Sequence, residues 1–349
     1  MHAKVDGEIK YLFDAAPQPG ATQALLPGLM WFRVPLPFVL NHVNCWLLDD
    51  GGKANGVTLI DTGADKPETR KLWDEVLSGT LATRTVSRLI CTHGHPDHVG
   101  LAGWLVDKLG VDLHMTLAEW LAPQVWMEEG KRPMSTTAAA FFKNHGVPDA
   151  AITKMDKSRE NAPFRNYPLP TQFVRMRDNE TVKFGGRSWK VLVNGGHADE
   201  HASFYCKDDG ILIAGDQILS RISPVVGVFP SQPQSEPLSD YLASLKRLKK
   251  LPDDTIVLPS HGLPFRGLHT RIAQLQAHHA DRLNALHDLM KVPANGITLA
   301  HGLFPRAMAA EGQTVMALAE TLAHAHHLVA TRRAKQSIDA TGAVTFTRS

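Results

Sequence analysis

The amino-acid sequence predicts an α/β protein built from packed layers of helices and strands, and three observations support this fold class. Short apolar runs typical of strands alternate with amphipathic helical stretches, and short connections join them. Of the 349 residues, 43% are hydrophobic and 21% are charged, which excludes disorder, collagen and coiled coil as the dominant state. A chain of this length has room for two domains at roughly 150 residues each.

The first part of the chain shows the alternation most clearly. Its apolar runs are bounded by Gly, Pro, Asn and Asp, as strands are, and they cover residues 30–34, 44–48, 57–60 and 87–91. A helical stretch follows Thr62-Gly63. A second helix is predicted over residues 96–109, because Pro96 suits a first helical turn and Gly110 suits the position after the last one.

Between residues 117 and 171 the pattern changes to helix-permissive residues with scattered aromatic side chains, which predicts a mainly helical insertion. Strand patterns return over residues 172–176, 181–184, 189–193, 202–206 and 211–214. Pro237 then opens an amphipathic helix, and a last buried strand is predicted over residues 255–258.

The end of the chain has a different order of elements. Helices are predicted over residues 268–290, 299–303 and 313–330, followed by two short strands over 336–339 and 343–347. Three helices followed by a hairpin is the order of a winged helix. We therefore predict a catalytic domain over residues 1–267 and a small winged-helix-like domain over residues 268–349.

Charge and cysteine content restrict the partners and the compartment. The formal net charge is +2, so no overall attraction to nucleic acid or to an anionic membrane is expected. Three cysteines stand far apart, and the first residues lack the basic and apolar regions of a secretory signal. We expect a cytoplasmic protein that acts on a small molecule and has no membrane partner.

The strongest chemical signal is a cluster of four potential metal ligands directly after the strand that ends at Cys91. His93, His95, Asp97 and His98 occur within six residues, at a point where a strand gives way to a helix. His93 and His95 can project toward one point, while Asp97 and His98 can face a second point on the first helical turn. This geometry favours two metals over one.

Two metals need more ligands than this cluster provides. His197, Asp216 and His261 each follow a predicted strand, at the edge where α/β folds place their sites. Three such residues in addition to the cluster indicate a common metal centre.

With these residues in view, the chain resembles the metallo-β-lactamase superfamily over roughly residues 25–265. His93, His95, Asp97 and His98 match the H-x-H-x-D-H signature of that family. Gly196-His197, Gly215-Asp216 and Ser260-His261-Gly262 match the later motifs in the same order, and Asp61-Thr62-Gly63 matches a motif in the first half. The tail resembles the small domain that follows the catalytic domain in one branch.

The resemblance implies a four-layer αβ/βα sandwich, with two mixed sheets flanked by helices and a dinuclear site between the sheets. It implies that His93, His95 and His197 bind one metal and that Asp97, His98 and His261 bind the other. Asp216 would bridge the two. The metals are divalent, with zinc favoured over iron or manganese by affinity.

The carboxylate at position 216 narrows the resemblance to the glyoxalase II-like, lactonase and nuclease branches. Our leading hypothesis is therefore hydrolysis of a small ester, thioester or lactone by water activated between two divalent cations. Asp97 and Asp216 would hold and orient that water. No G-x-S-x-G motif suggests a protein nucleophile.

Two further residues are expected to support the site from behind the ligands. Asp61 can accept a hydrogen bond from the distal ring nitrogen of a ligand histidine and so fix its tautomer. His201 either contacts substrate or packs beside the site. Several aromatic residues of the insertion either form a lid over the metals or make up the insertion's own core; they are Trp120, Trp126, Phe141 and Phe142.

Three other functions remain open at this stage. The winged-helix-like tail allows a nuclease that acts on RNA or single-stranded DNA. A mononuclear iron sulfur dioxygenase would use fewer ligands than this chain offers. A non-catalytic binding module with a relic site is disfavoured by the intact ligand set.

Overall fold

A computed structural model describes residues 8–37, 40–51, 56–160, 168–310 and 312–349. Residues 1–7, which are predicted to lack a secretory signal, and residues 161–167 of the predicted insertion lie outside this range. The strands, in chain order, are β1 (Lys10–Tyr11), β2 (Thr22–Leu26), β3 (Leu29–Pro35), β4 (His42–Gly51), β5 (Gly56–Ile60), β6 (Thr85–Ile90), β7 (Leu113–Met115), β8 (Val174–Arg175), β9 (Thr181–Phe184), β10 (Arg187–Asn194), β11 (His201–Cys206), β12 (Ile211–Gly215), β13 (Ile256–Pro259), β14 (Phe265–Arg266), β15 (Ala334–Ile338) and β16 (Val344–Arg348).

The helices are α1 (Pro67–Ser78), α2 (Pro96–Val99), α3 (Ala102–Leu109), α4 (Leu117–Glu129), α5 (Thr136–Asn144), α6 (Asp149–Glu160), α7 (Pro237–Leu248), α8 (Leu268–Leu289), α9 (Gly296–Leu303), α10 (Pro305–Ala309) and α11 (Thr314–Ala330).

In the described part of the chain, the strands form two seven-stranded sheets and one two-stranded hairpin. The first sheet has the order β2-β3-β4-β5-β6-β7-β8, and the second has the order β1-β14-β13-β12-β11-β10-β9. Both sheets are mixed, since β5-β6-β7-β8 and β12-β13 pair parallel while most other neighbours pair antiparallel.

Strand β4 shows why the sheets stack into layers. Its side chains alternate between two faces, and both faces are apolar. Cys45 and Leu47 pack toward the helix layer that includes Trp73 of α1, whereas Trp46 and Leu48 pack between the two sheets. A strand buried on both faces reads as a continuous apolar run, which explains the uninterrupted apolar pattern of residues 45–48 after Asn44.

The second sheet repeats this arrangement from the other side. On β12, Ile211 and Ile213 face the first sheet, while Leu212 and Ala214 face an outer core that includes residues of α7, α8 and α11. The result is a helix–sheet–sheet–helix sandwich, as predicted. Phe346 of the hairpin belongs to the same outer core, so the C-terminal helical region packs on the sandwich.

One predicted helix is wrong in detail. The stretch expected as a single helix over residues 96–109 is divided, because α2 ends at Val99 and α3 begins at Ala102. Leu101 has φ −102° and ψ 7°, and its amide donates to the hydroxyl of Thr62 at 3.1 Å. A tertiary hydrogen bond thus takes the amide that would have continued the helix.

Three helices, α4 to α6, occupy the segment expected to be a helical insertion. Within the described residues, none of the helices combines the length and the apolar composition needed to cross a bilayer.

Candidate metal centre

The turn after β6 carries four of the predicted ligands. His93 and His98 are buried, and His95 and Asp97 are partly buried at the start of α2. Helix α4 packs directly on this turn, because a Cβ at Gly94 would lie 2.7 Å from the Glu119 carbonyl oxygen and 2.9 Å from Cδ of Pro123. Glycine is therefore required between the two histidines of H-x-H.

The other three predicted ligands follow strands of the second sheet. His197 comes three residues after β10, Asp216 directly follows β12, and His261 comes two residues after β13. Since β12 and β13 are parallel, their carboxyl ends lie at the same edge of the sheet. The fold brings all seven side chains to this edge, where the two sheets meet.

Their ligand-type atoms fall into overlapping groups, each with all atoms within 4.8 Å of one another. One group is His93, His95 and His197, and another is Asp97, His98 and His261. A third group joins His93 and His98 to Asp216. The first two groups have the composition that the family resemblance implies for the two metals.

The carboxylate of Asp216 lies between these groups. Its Oδ1 is 3.3 Å from Nε2 of His261 and 3.5 Å from Nε2 of His98, and its Oδ2 is 3.5 Å from Nε2 of His197. Each oxygen therefore faces a different group. Asp97 Oδ2 lies 3.5 Å from Nε2 of His261 and 3.6 Å from Nε2 of His98.

Hydrogen bonds behind three histidines determine which ring nitrogen faces inward. Nδ1 of His98 donates to Asp61 Oδ2 at 2.9 Å. Nδ1 of His261 donates to the His42 carbonyl oxygen at 2.6 Å, and Nδ1 of His197 donates to the Val225 carbonyl oxygen at 2.8 Å. Since each acceptor oxygen can only accept, Nδ1 carries a proton, and Nε2 is the ring nitrogen that faces the centre and is available to a metal.

Three of the inward-facing atoms lack a hydrogen-bond partner. Nε2 of His98, Nε2 of His261 and Oδ1 of Asp216 are buried without a hydrogen bond. Nε2 of His93 lies 2.9 Å from Nδ1 of His95 and 3.3 Å from Nε2 of His197. Burying polar atoms without partners is costly, and a cation among them would satisfy them. The donor set of imidazole nitrogens and carboxylates is one that divalent transition metals prefer, so the residues present fit the implied dinuclear group.

The pKa shifts describe the same centre electrostatically. Burial, reinforced by the neighbouring histidine rings, holds the pKa of His93 and His95 well below the usual value, so both rings are neutral ligands. Burial opposes the ionised forms of His98 and Asp216 as well. There the attraction between opposite charges outweighs it, raising the pKa of His98 and lowering that of Asp216.

Asp61 lies behind His98 in an unusual backbone conformation. Its φ is +61°, which non-glycine residues seldom adopt, and its side chain is fully buried. Asp61 accepts further hydrogen bonds besides the one from His98. Its Oδ1 accepts a hydrogen bond from the backbone amide of Thr92 at 2.8 Å, and its Oδ2 accepts one from the Thr92 hydroxyl at 2.9 Å. Strain held in place by several hydrogen bonds is a feature of functional sites.

His201 holds Asp216 from the backbone side. Its Nε2 accepts the amide of Asp216 at 3.0 Å, so this nitrogen is directed at the main chain. Gly215 makes the approach possible, because its φ is +56° and a Cβ there would lie 2.3 Å from that nitrogen. Of the two sequence-based interpretations, the structure places His201 beside the site.

Sequence reasoning missed several residues at this centre. Glu119 is buried and accepts the amides of Gly94 and Glu200, both at 2.8 Å, so it links the two segments that carry His95 and His197. The side chain of Asn44 donates to the carbonyl oxygens of Pro259 and Gly262, on either side of His261. No local spacing marks these residues, since they become neighbours of the ligands only in the folded chain.

The four aromatic residues of the insertion lie in different surroundings and do not pack together as one cluster. Trp126 stacks on His95, with ring centroids 5.9 Å apart and planes inclined by 24°. Trp120 instead stacks on Phe173 at 4.4 Å. Phe141 and Phe142 are buried in the outer core. Among these four, Trp126 has a ring contact with a predicted ligand.

The fold and this centre define a class of protein, namely metal-dependent hydrolases that build their site at the edge between two sheets of an αβ/βα sandwich. Comparison with known proteins specifies the family. The metallo-beta-lactamase superfamily model matches residues 39–261, and a model described as metallo-beta-lactamase-like, C-terminal domain, matches residues 283–349. The chain belongs to the metallo-β-lactamase superfamily.

Three relatives show the extent of the similarity. A beta-lactamase domain protein from Burkholderia ambifaria, known as a crystal structure, is 36% identical, with 98% of each chain covered and a TM-score of 0.88. A probable metallo-hydrolase, YqjP from Bacillus subtilis (strain 168), is 26% identical over 84% of this chain and 89% of its own length. A hydroxyacylglutathione hydrolase from Synechococcus sp. (strain JA-3-3Ab) is 33% identical over 29% of this chain and 37% of its own length.

Proposed function

We propose that this protein hydrolyses a small ester, thioester or lactone at a dinuclear metal centre. The observation that carries the proposal is the pair of ligand groups joined by the Asp216 carboxylate, whose two oxygens face different groups. The similarity to a hydroxyacylglutathione hydrolase supports the thioester class, since an acylglutathione is a thioester.

His93, His95 and His197 would hold one metal, and Asp97, His98 and His261 would hold the other, with Asp216 between them. When bound, two divalent cations supply Lewis-acid polarisation of the scissile carbonyl and a water nucleophile active near neutral pH. Zinc is the metal we favour, because it binds such sites more tightly than manganese or iron(II).

The protein's own contribution is to orient ligands and to accept a proton. Asp61 orients His98 by accepting a hydrogen bond from its Nδ1–H, and His201 accepts a hydrogen bond from the backbone amide of Asp216. Asp97 keeps 19% of its side chain exposed, so its carboxylate can accept a hydrogen bond from water entering the site and take its proton.

Elemental analysis of freshly purified protein tests the metal centre. We expect about two metals per chain, and about one in His261→Ala, because this change removes one ligand of a single group. His301→Ala is the matched control, since His301 is exposed on α9, and it should retain both metals. One iron per chain, unchanged in His261→Ala, would instead favour the sulfur dioxygenase alternative.

Hydrolysis assays then test the reaction. Thioester, ester and lactone panels with zinc-loaded protein should give turnover that Asp216→Asn reduces by about two orders of magnitude or more. Labelled RNA and single-stranded DNA belong in the same experiment. Metal-dependent cleavage of an oligonucleotide, with no turnover on the small-molecule panels, would replace our proposal with the nuclease alternative.

We also propose a cytoplasmic location. Cys45, Cys91 and Cys206 are all buried with free thiols, which suits a reducing compartment.

A further inference from the structure

A large aromatic side chain lies on a predicted ligand and remains open to solvent. Trp126 of α4 stacks on the His95 ring, yet 41% of it is exposed. Because α4 packs closely on Gly94, the Trp126 side chain is held in a defined position beside the ligands.

A second exposed apolar residue, Val225, lies next to the same ligand pair in the structure. Val225 is 37% exposed, and its carbonyl oxygen accepts the bond from Nδ1 of His197. His197 and His95 are neighbours, with ring centroids 4.6 Å apart. Trp126 therefore contacts one of the two neighbouring histidines that face the same predicted metal, and the backbone of Val225 contacts the other.

The backbone that carries Val225 is anchored. Ile222, three residues earlier, is 47% exposed. Its carbonyl oxygen accepts a hydrogen bond from Nη2 of Arg271 at 2.7 Å. Nε of Arg271 donates to the Leu219 carbonyl oxygen at 2.6 Å, and Arg271 itself is buried. A loop tethered in this way presents its apolar side chains in a preformed arrangement, which favours ligand binding.

We propose that the site takes acyl compounds with an apolar acyl group, and that Trp126 and Val225 are specificity-determining residues that contact this group. The proposal rests on the proposed hydrolase function and specifies its substrate class. With the scissile carbonyl at the metals, an acyl chain extends over the indole and isopropyl surfaces and covers apolar area that is otherwise exposed to water.

Hydrolysis of a graded series of thioesters tests the proposal. The probes are N-acetylcysteamine thioesters from acetyl to octanoyl, together with hydroxylated acyl chains of matched length. With zinc-loaded protein, kcat/KM should increase about two- to fourfold per methylene before it levels off, and the hydroxylated chains should lose this gain. Trp126→Ala and Val225→Ser should flatten the dependence on chain length. Ile338→Ser is the matched control, since Ile338 is 66% exposed on β15, and it should leave the dependence unchanged.

Calorimetric binding of linear carboxylates from butanoate to octanoate provides a readout that does not depend on turnover. Affinity should rise with chain length in the unmodified protein and not in Trp126→Ala. If thioesters are hydrolysed without regard to chain length, the apolar assignment is wrong and the hydrolase proposal stands. If no probe is hydrolysed but carboxylate affinity rises with length through Trp126, the hydrolase proposal fails and the apolar subsite stands. Absence of both effects would overturn both.

Discussion

At the scale of single residues, the carboxylate of Glu119 connects two ligand-bearing segments through its bonds to Gly94 and Glu200. Burial raises its pKa, and the two backbone amides oppose that rise. Glu119→Gln replaces one acceptor oxygen by an amide donor that faces a backbone N–H. We expect metal affinity to fall by about 10- to 100-fold, the usual effect of losing a residue that supports metal ligands. Competition with a chelator measures this.

Glu128→Gln is the control for that prediction. Glu128 lies on the same helix α4 but is exposed and paired with Lys131, and exposed ion pairs contribute little. Equal metal affinity in the two variants would show that the Glu119 hydrogen bonds do not support the site.

Gly215 gives a second prediction at this scale. In Gly215→Ala, the new Cβ would lie 2.3 Å from Nε2 of His201, which is a steric clash. The alanine would also have to adopt the left-handed backbone conformation, which costs about 1–2 kcal/mol by itself. We expect lower stability, measured by urea unfolding, and loss of bound metal, because Asp216 is displaced. Gly210→Ala is a close control, since Gly210 has a similar φ of +61° but open space around it. Gly210→Ala should lose only the stability that the left-handed backbone conformation costs, and it should retain its bound metal.

At the scale of elements, the connection between β12 and α7 depends on α8. Arg271 of α8 donates to two carbonyl oxygens of this loop, and Val225 in the same loop orients His197. The C-terminal helical region therefore contributes to the geometry of the metal centre without supplying a predicted ligand.

Arg271→Met tests this dependence. The change leaves two carbonyl oxygens without their buried partner, at a cost of about 1–3 kcal/mol for each group. We expect faster amide exchange across residues 219–225 and a lower kcat/KM, with the catalytic carboxylates intact. Arg306→Met, at an exposed position on α10, should change neither quantity. Unchanged exchange in Arg271→Met would mean that the loop is held by other contacts.

At the scale of the whole molecule, buried histidines lie where the C-terminal helices pack on the sandwich. Nδ1 of His279 on α8 lies 3.1 Å from Nε2 of His324 on α11, and the Tyr241 ring of α7 lies 5.3 Å from His279. Nδ1 of His324 donates to the Glu320 carbonyl oxygen at 2.7 Å, so its Nε2 accepts the bond from His279. Burial lowers the pKa of His324 to about 4.

This shift predicts acid sensitivity of the packing. Between pH 6.5 and about 4 the unfolded chain protonates this histidine and the folded chain does not, so the free energy of unfolding falls as pH falls. The contribution of His324 amounts to about 3 kcal/mol over the full window. Glu320, whose pKa burial raises to about 7, adds a slope of the opposite sign.

Comparison with a variant isolates the histidine. Urea unfolding of His324→Gln between pH 4 and 7 should show a weaker loss of stability on acidification than the unmodified protein. His301→Gln, at an exposed site on α9, should retain the original slope. Parallel pH profiles for the unmodified protein and His324→Gln would show that His324 titrates normally.

Much of the sandwich was predictable because its elements carry strong local patterns. Strand β4 is buried on both faces and reads as an apolar run, and the amphipathic helix predicted from Pro237 matches α7. The division of the 96–109 helix was not predictable, because it depends on a hydroxyl from residue 62. Helix α10 is five residues long, too short to show a period.

For the candidate site, the sequence by itself determined which residues could bind metal, because ligand chemistry and strand-end positions are local properties. His93, His95, Asp97 and His98 stand within six residues, and the other predicted ligands follow recognisable strands. Only the tertiary structure decided which groups they form and what holds them. Glu119, Val225 and His42 contact ligand segments through hydrogen bonds that span 25 to 219 residues of chain. Such contacts follow from how the sheets and helices pack, and local patterns contain no information about packing at that range.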